Sequence, residues 1–169
     1  SETCSALSAH LSVSRHSLSG ATMISTAYFA GGINTNNFWT IDRLTNSETC
    51  SALSAHLSDS KHSLSGATIN TSAYFVGGAA GTLGTKVWTI DRLTNSETCS
   101  GLSAYLSDSK YSLSGATINT SAYFAGGIAG TLDTKVWTID RLTNSDAYST
   151  TCSALSAHLS TSREGLSGA

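Results

Sequence analysis

SLSGATINTSAYFVGGAAGTLGTKVWTID, residues 63–91, returns almost unchanged at residues 112–140 and in a shorter form at residues 17–42. A repeat of this length has to be recognised before any local reading, because a unit that cannot bury its own faces is completed by its neighbours. Within the stretch, residues 64–69 and 72–76 are short runs rich in β-branched and aromatic side chains. The Asn70-Thr71 turn separates them and Gly77-Gly78 stops the second. Residues 86–90 make a third run after a Gly/Thr-rich loop, and residues 98–104, entered from Leu93-Thr94-Asn95, make a fourth. Runs of this length, bounded by turn residues, read as β-strands. Tyr74-Phe75-Val76 is continuously apolar, as in an inner strand covered on both faces, whereas residues 86–91 mix apolar and polar positions as an outer strand does. The competing reading of residues 51–58, SALSAHLS, is a short amphipathic helix with Leu at i and i+4. That would leave only three strands per repeat.

Working outward, Cys4, Cys50, Cys99 and Cys152 mark the period, with spacings of 46, 49 and 53 residues. The first unit is shorter because residues 31–38 stand where the second has residues 77–87. The last spacing is longer because of an insertion at residues 146–150. Length changes confined to two places mark those places as surface loops. Residues 63–91 are therefore three strands of a four-stranded unit whose fourth is the Cys-centred segment that follows.

The chain has 169 residues, of which 40% are hydrophobic and only 12% charged, with a net charge of -2. Ordinary soluble domains carry about 25% charge. The lack of a basic balance argues against a nucleic-acid partner. No apolar run approaches the roughly 20 residues that span a bilayer as a helix, so no membrane partner is expected. The sequence opens and stops in mid-pattern with no leader, as a processed product or a piece of a longer chain does. Proline is absent, so Gly, Asn, Asp and Ser must set the turns.

Four short antiparallel strands per 45–50 residues, repeated, are the pattern of β-propeller blades. The unit resembles a kelch repeat. Tyr74-Phe75-Val76-Gly77-Gly78 resembles the apolar run and double glycine that end the second kelch strand. Val87-Trp88-Thr89-Ile90-Asp91 resembles the third, and residues 106–111 sit where kelch repeats link one blade to the next. Three features differ from that family: the link has no Pro, Cys replaces the fourth-strand Trp, and Ile41, Ile90 and Ile139 replace a third-strand Tyr. The resemblance implies an all-β propeller in a single repeat domain over residues 1–169. Its blades would be residues 17–55, 63–104 and 112–157, with a spare strand at residues 3–9 and another at 165–169. Three blades do not close a ring, since propellers use about 4 to 8. The expectation is a homo-oligomer, with a dimer completing the ring, or a longer propeller represented in part.

The candidate binding residues lie on the links. A base recurs there as Arg15, Lys61, Lys110 and Arg163, beside His16, His62, Tyr111 and Glu164. Links of this kind lie on the partner-binding face of kelch proteins, so the resemblance implies a ring of Arg15, His16, Lys61, His62, Lys110, Tyr111 and Arg163 around one mouth of the channel. Its field would select an anionic group; the alternative is a set of solvated bases pairing with acids such as Asp59 and Asp108. Asp42, Asp91 and Asp140 recur in Ile-Asp-Arg-Leu-Thr-Asn and read as caps of the turn between the third and fourth strands. Arg43, Arg92 and Arg141 are placed to pair across blades. The cysteines show no ligand or disulfide spacing and read as buried structural thiols. His10, His56 and His158 share a position that Tyr105 fills in another unit, which does not suit a metal ligand. No cofactor is expected, and no nucleophile elbow, phosphate loop or metalloprotease helix is present. The functional expectation is a non-enzymatic scaffold that binds a protein or glycan through its link loops. The alternative is a structural protein that self-assembles through open blade edges.

Overall fold

The computed structural model describes residues 4–145 and 149–166. Among them every regular element is a β-strand. Three four-stranded sheets follow one another along the chain, each an antiparallel meander with its strands in chain order. Sheet I comprises Ser19–Met23, Thr26–Ala30, Thr40–Leu44 and Cys50–His56. Sheet II comprises Ser65–Ile69, Ser72–Val76, Thr89–Thr94 and Cys99–Tyr105. Sheet III comprises Ser114–Ile118, Ser121–Ala125, Thr138–Ser145 and Ser149–His158. The SALSAHLS segment is thus a strand, with Leu53 and Ala55 turned inward and Ser54 and His56 outward.

The third strand departs from the expected limits. It starts at Thr89, and Thr85–Lys86 instead pairs with Ala79–Ala80, which pairs with Lys61–His62 of the link. The next repeat does the same with Lys110–Tyr111, Ile128–Ala129 and Thr134–Lys135. In the shorter first repeat this small sheet is reduced to the bridges His16 to Ile33 and Ile33 to Asn37. The third strand is also an inner strand, lying between the second and the fourth. Its polar Asp91 suggested an outer strand, but that carboxylate is buried with its partners supplied, so polarity there does not signal exposure.

The core forms two layers, both shared by sheet II. Ala73, Phe75 and Leu93 face sheet I and pack with Met23, Tyr28, Ala30 and Ile41. Alternate residues Ile69, Tyr74, Val76 and Ile90 face sheet III and pack with Ala122, Phe124 and Leu142. Ala73 through Val76 are all fully buried, as expected of the continuous apolar run. Successive first strands run close together. Thr68 Oγ1 donates to the Thr22 carbonyl and Thr117 Oγ1 to that of Thr68. A side chain at Gly66 would run into the Gly20 carbonyl, and one at Gly115 into that of Gly66, so the first strands approach this closely because Gly66 and Gly115 lack a Cβ. Across the first layer, Arg43 pairs with Glu97 at 2.8 Å.

The spare strand expected at residues 3–9 is corrected, and most of the one expected at residues 165–169 lies outside the described residues. Residues 4–9 form no strand, nor do Gly165 and Leu166, while residues 3 and 167–169 lie outside the described set. A lone strand with no neighbouring edge leaves its N–H and C=O groups to water and gains nothing by being extended. Cys4 is exposed for the same reason, so it is not the buried thiol expected.

Candidate functional site

In each meander the first strand begins, the second ends, the third begins and the fourth ends at one edge. The links and the loops between second and third strands therefore gather on one face of the array. The glycine pairs make this possible. Gly77 and Gly78 have φ of 65° and 110°, and Gly78 N–H donates to the Lys110 carbonyl of the following link. A Cβ on Gly77 would lie 2.6 Å from that carbonyl oxygen. The expected positive φ is present, and the crowding comes from the links.

Lys61 and Lys110 are on this face in sequence but not at its surface. Both are fully buried. Lys61 Nζ lies 2.8 Å from Asp91 and donates to Thr89 Oγ1 at 3.0 Å, while the other Asp91 oxygen accepts the Ser58 N–H. Lys110 pairs in the same way with Asp140 and Thr138, with Ser107 N–H on the second oxygen. Arg15 reaches Asp42 at 2.7 Å and Thr40 Oγ1 at 2.6 Å. The recurring bases and the recurring acids are thus two halves of one buried clasp per sheet. Three readings are corrected here: these three bases do not form a solvated ring, their partners are not Asp59 and Asp108, and the Asp residues do not cap the turn. A charge taken from water must be paired, and an Asp in mid-strand beneath a link supplies the partner.

The remaining predicted residues behave differently from one another. His16 is exposed, with Nδ1 bonded to Ser17 Oγ at 2.9 Å. His62 is half-buried with the equivalent bond to Ser63, and burial, then the nearby His16, lower its pKa below 6.5. Tyr111 is half-buried with Lys86 Nζ 5.8 Å from its ring centre. Arg163 is exposed and donates to Thr161 Oγ1 at 2.8 Å. His62 joins Asn36, Asn37, Ser60 and Thr82 in lining a cleft of about 390 Å³ between the loops of the first two repeats.

What the sequence reading missed is an aromatic pair on each sheet. Trp39, Trp88 and Trp137 stand just before the third strand and are 51%, 52% and 52% exposed. Each indole rests against the ring that ends the fourth strand. Trp39 stacks on His56 at 4.6 Å, Trp137 on His158 at 4.9 Å, and Trp88 lies tilted against Tyr105 at 5.8 Å. His56 and His158 Nδ1 lie 3.0 Å from the carbonyls of Leu57 and Leu159. A carbonyl only accepts, so Nδ1 is the donor in both. The available signal was a Trp at one position of all three repeats, absorbed there into the expected third strand. Beside Trp137, Lys135, Val136, Thr138 and Ser162 border a recess of about 230 Å³.

The charges around these rings are largely neutralised. Besides the three clasps, Lys86 pairs with Asp133 at 2.7 Å and Lys135 with Glu164 at 3.1 Å. Cys99 and Cys152 sit in the fourth strands, their pKa pushed up to about 12 by burial and then by Asp91 and Asp140, which disfavours the reactive thiolate. Among the described residues no group of three His, Cys, Asp or Glu is placed to hold a metal. Compared with known proteins, the chain matches no family model and no curated sequence.

Proposed function

We propose that the protein is a non-enzymatic scaffold, a propeller of kelch-like blades, that binds a protein or glycan partner on its link face. The observation that carries this reading is the row of three half-exposed tryptophans, one per sheet, each backed by a His or Tyr ring. Large aromatics left half in water, with their planes fixed by a neighbour, are the side chains that anchor binding surfaces. The four-stranded meanders and their shared layers support a blade arrangement. The test compares the protein with a Trp39→Ala, Trp88→Ala, Trp137→Ala triple variant on immobilised protein and glycan arrays. Loss of the bound probes by the triple variant, with its melting temperature unchanged, is the expected outcome. Binding that survives the triple change would move the site elsewhere.

A second reading, self-assembly, has its own observation. A groove of about 520 Å³ on sheet I is lined by Leu7, Leu11, Leu18, Phe29, Leu44 and Cys50. The matching residues of sheet II, Leu64, Phe75 and Leu93, are covered by sheet I. Sheet III turns Ile118 outward, 59% exposed, where its counterparts Met23 and Ile69 are buried. The two faces have the chemistry of the internal layers, so the occupant that fits is a second copy of this chain.

A further inference from the structure

We propose that the link face binds a neutral, extended oligosaccharide whose sugar rings stack, at intervals along the chain, on Trp39, Trp88 and Trp137. The inference rests on the link face being the binding face, and it names the ligand class. Three observations bear on it. The first is charge: five basic groups of the face, Arg15, Lys61, Lys86, Lys110 and Lys135, are held by Asp42, Asp91, Asp133, Asp140 and Glu164, and Arg163 alone among its described bases is exposed with only hydroxyl partners. A surface whose cations are mostly paired offers an anionic ligand little, and a neutral one loses nothing there.

The second is the chemistry beside the rings. A pyranose presents an apolar face of C–H groups and a rim of hydroxyls. The indoles supply flat apolar surface, and uncharged donors and acceptors stand alongside. Ser162 and Thr138 border the recess next to Trp137. His56 and His158 each carry a second ring nitrogen, and Tyr105 a hydroxyl, on the ring that lies against the indole. The change from His to Tyr in the middle repeat therefore keeps both a planar backing ring and a polar atom on it.

The third is periodicity. The same constellation occurs three times in one chain, on three sheets related by the repeat. A ligand that uses all three must itself repeat along its length. A homopolymeric sugar chain does so by construction, and each added contact then acts at the high effective concentration set by its neighbours.

The experiment titrates the protein with cellohexaose, chitohexaose and mannohexaose, followed by tryptophan fluorescence and calorimetry. Saturable binding of at least one hexasaccharide is expected, with the matching disaccharide about tenfold or more weaker. Raising the salt concentration should leave the affinity unchanged. Trp88→Ala, which removes the middle platform, should weaken the hexasaccharide about tenfold or more while leaving the melting temperature unaltered; Trp88→Phe should recover part of the loss. Silence towards all three hexasaccharides overturns the proposal, as does unchanged affinity in Trp88→Ala or an affinity that collapses with salt. If the tryptophan face captures a protein on the arrays while no hexasaccharide binds, the scaffold reading stands and this inference fails.

Discussion

Lys61 and Asp91 lose all contact with water, and their stability rests on each other. Removing one partner strands the other as a bare buried charge, which costs about 3–5 kcal/mol. Lys61→Met should lower stability by that amount in urea unfolding. The Lys61→Met, Asp91→Leu double variant should be less damaged than the single one, because no lone charge remains. A single variant as stable as the parent would contradict the clasp. Ile24 offers the opposite case. It has φ of 55° in the hairpin where Asn70 and Asn119 stand at 53° and 54° in the other repeats. A β-branched residue is strained in that region and Asn tolerates it. Ile24→Asn should therefore raise stability by about 1 kcal/mol, read from the urea midpoint. The recurrence of bases on the links and acids in the third strands was plain in the sequence. Their pairing was not, because Lys61 approaches Asp91 through a link whose path composition does not specify.

At the scale of elements, the cleft between link and loop carries a pH response. His62 is held below its ordinary 6.5 by burial and by His16. The unfolded chain takes up a proton near pH 6.5 that the folded chain accepts only at lower pH. The contribution of His62 to stability is therefore complete above that value and is lost as pH falls through the lowered pKa. His62→Gln should flatten this acid limb relative to the parent in thermal melts recorded across the range. An identical pH profile in the two proteins would show that the ring is not desolvated in solution. The hairpin of the first two strands was legible almost to the residue, since the Asn70-Thr71 turn and Gly77-Gly78 bracket it. The third strand was misplaced by three residues because Lys86-Val87-Trp88 has β-forming composition, yet Lys86 pairs with the loop and Trp88 stands free of the sheet. The same error hid the tryptophan row. Residues counted as strand are assigned to packing, and half-exposure becomes visible only when the strand is seen to start at Thr89.

For the whole molecule, the all-β class and the repeated four-stranded sheets could be read from the spacing of apolar runs and turns. Which faces stay open could not, because that depends on how sheets stack. Sheet II is covered on both sides, while sheets I and III each turn one apolar face away from it. If copies dock through those faces, the mass from light scattering should rise with protein concentration. Ile118→Asp, at an exposed position, should hold the protein monomeric without altering its melting temperature. A concentration-independent monomer in the parent would remove the self-assembly reading.

The clasp has one more property. The backbone of Lys61 bonds to Phe38 and Gly32 of the first repeat, while its side chain bonds to Asp91 and Thr89 of the second. Lys110 does the same between the second repeat, at Val87 and Gly78, and the third, at Asp140 and Thr138. Each unit thus carries both the socket for the unit before it and the hook for the unit after it. A copy of the second unit placed in tandem would meet at each seam the same partners that Lys61 and Lys110 already use.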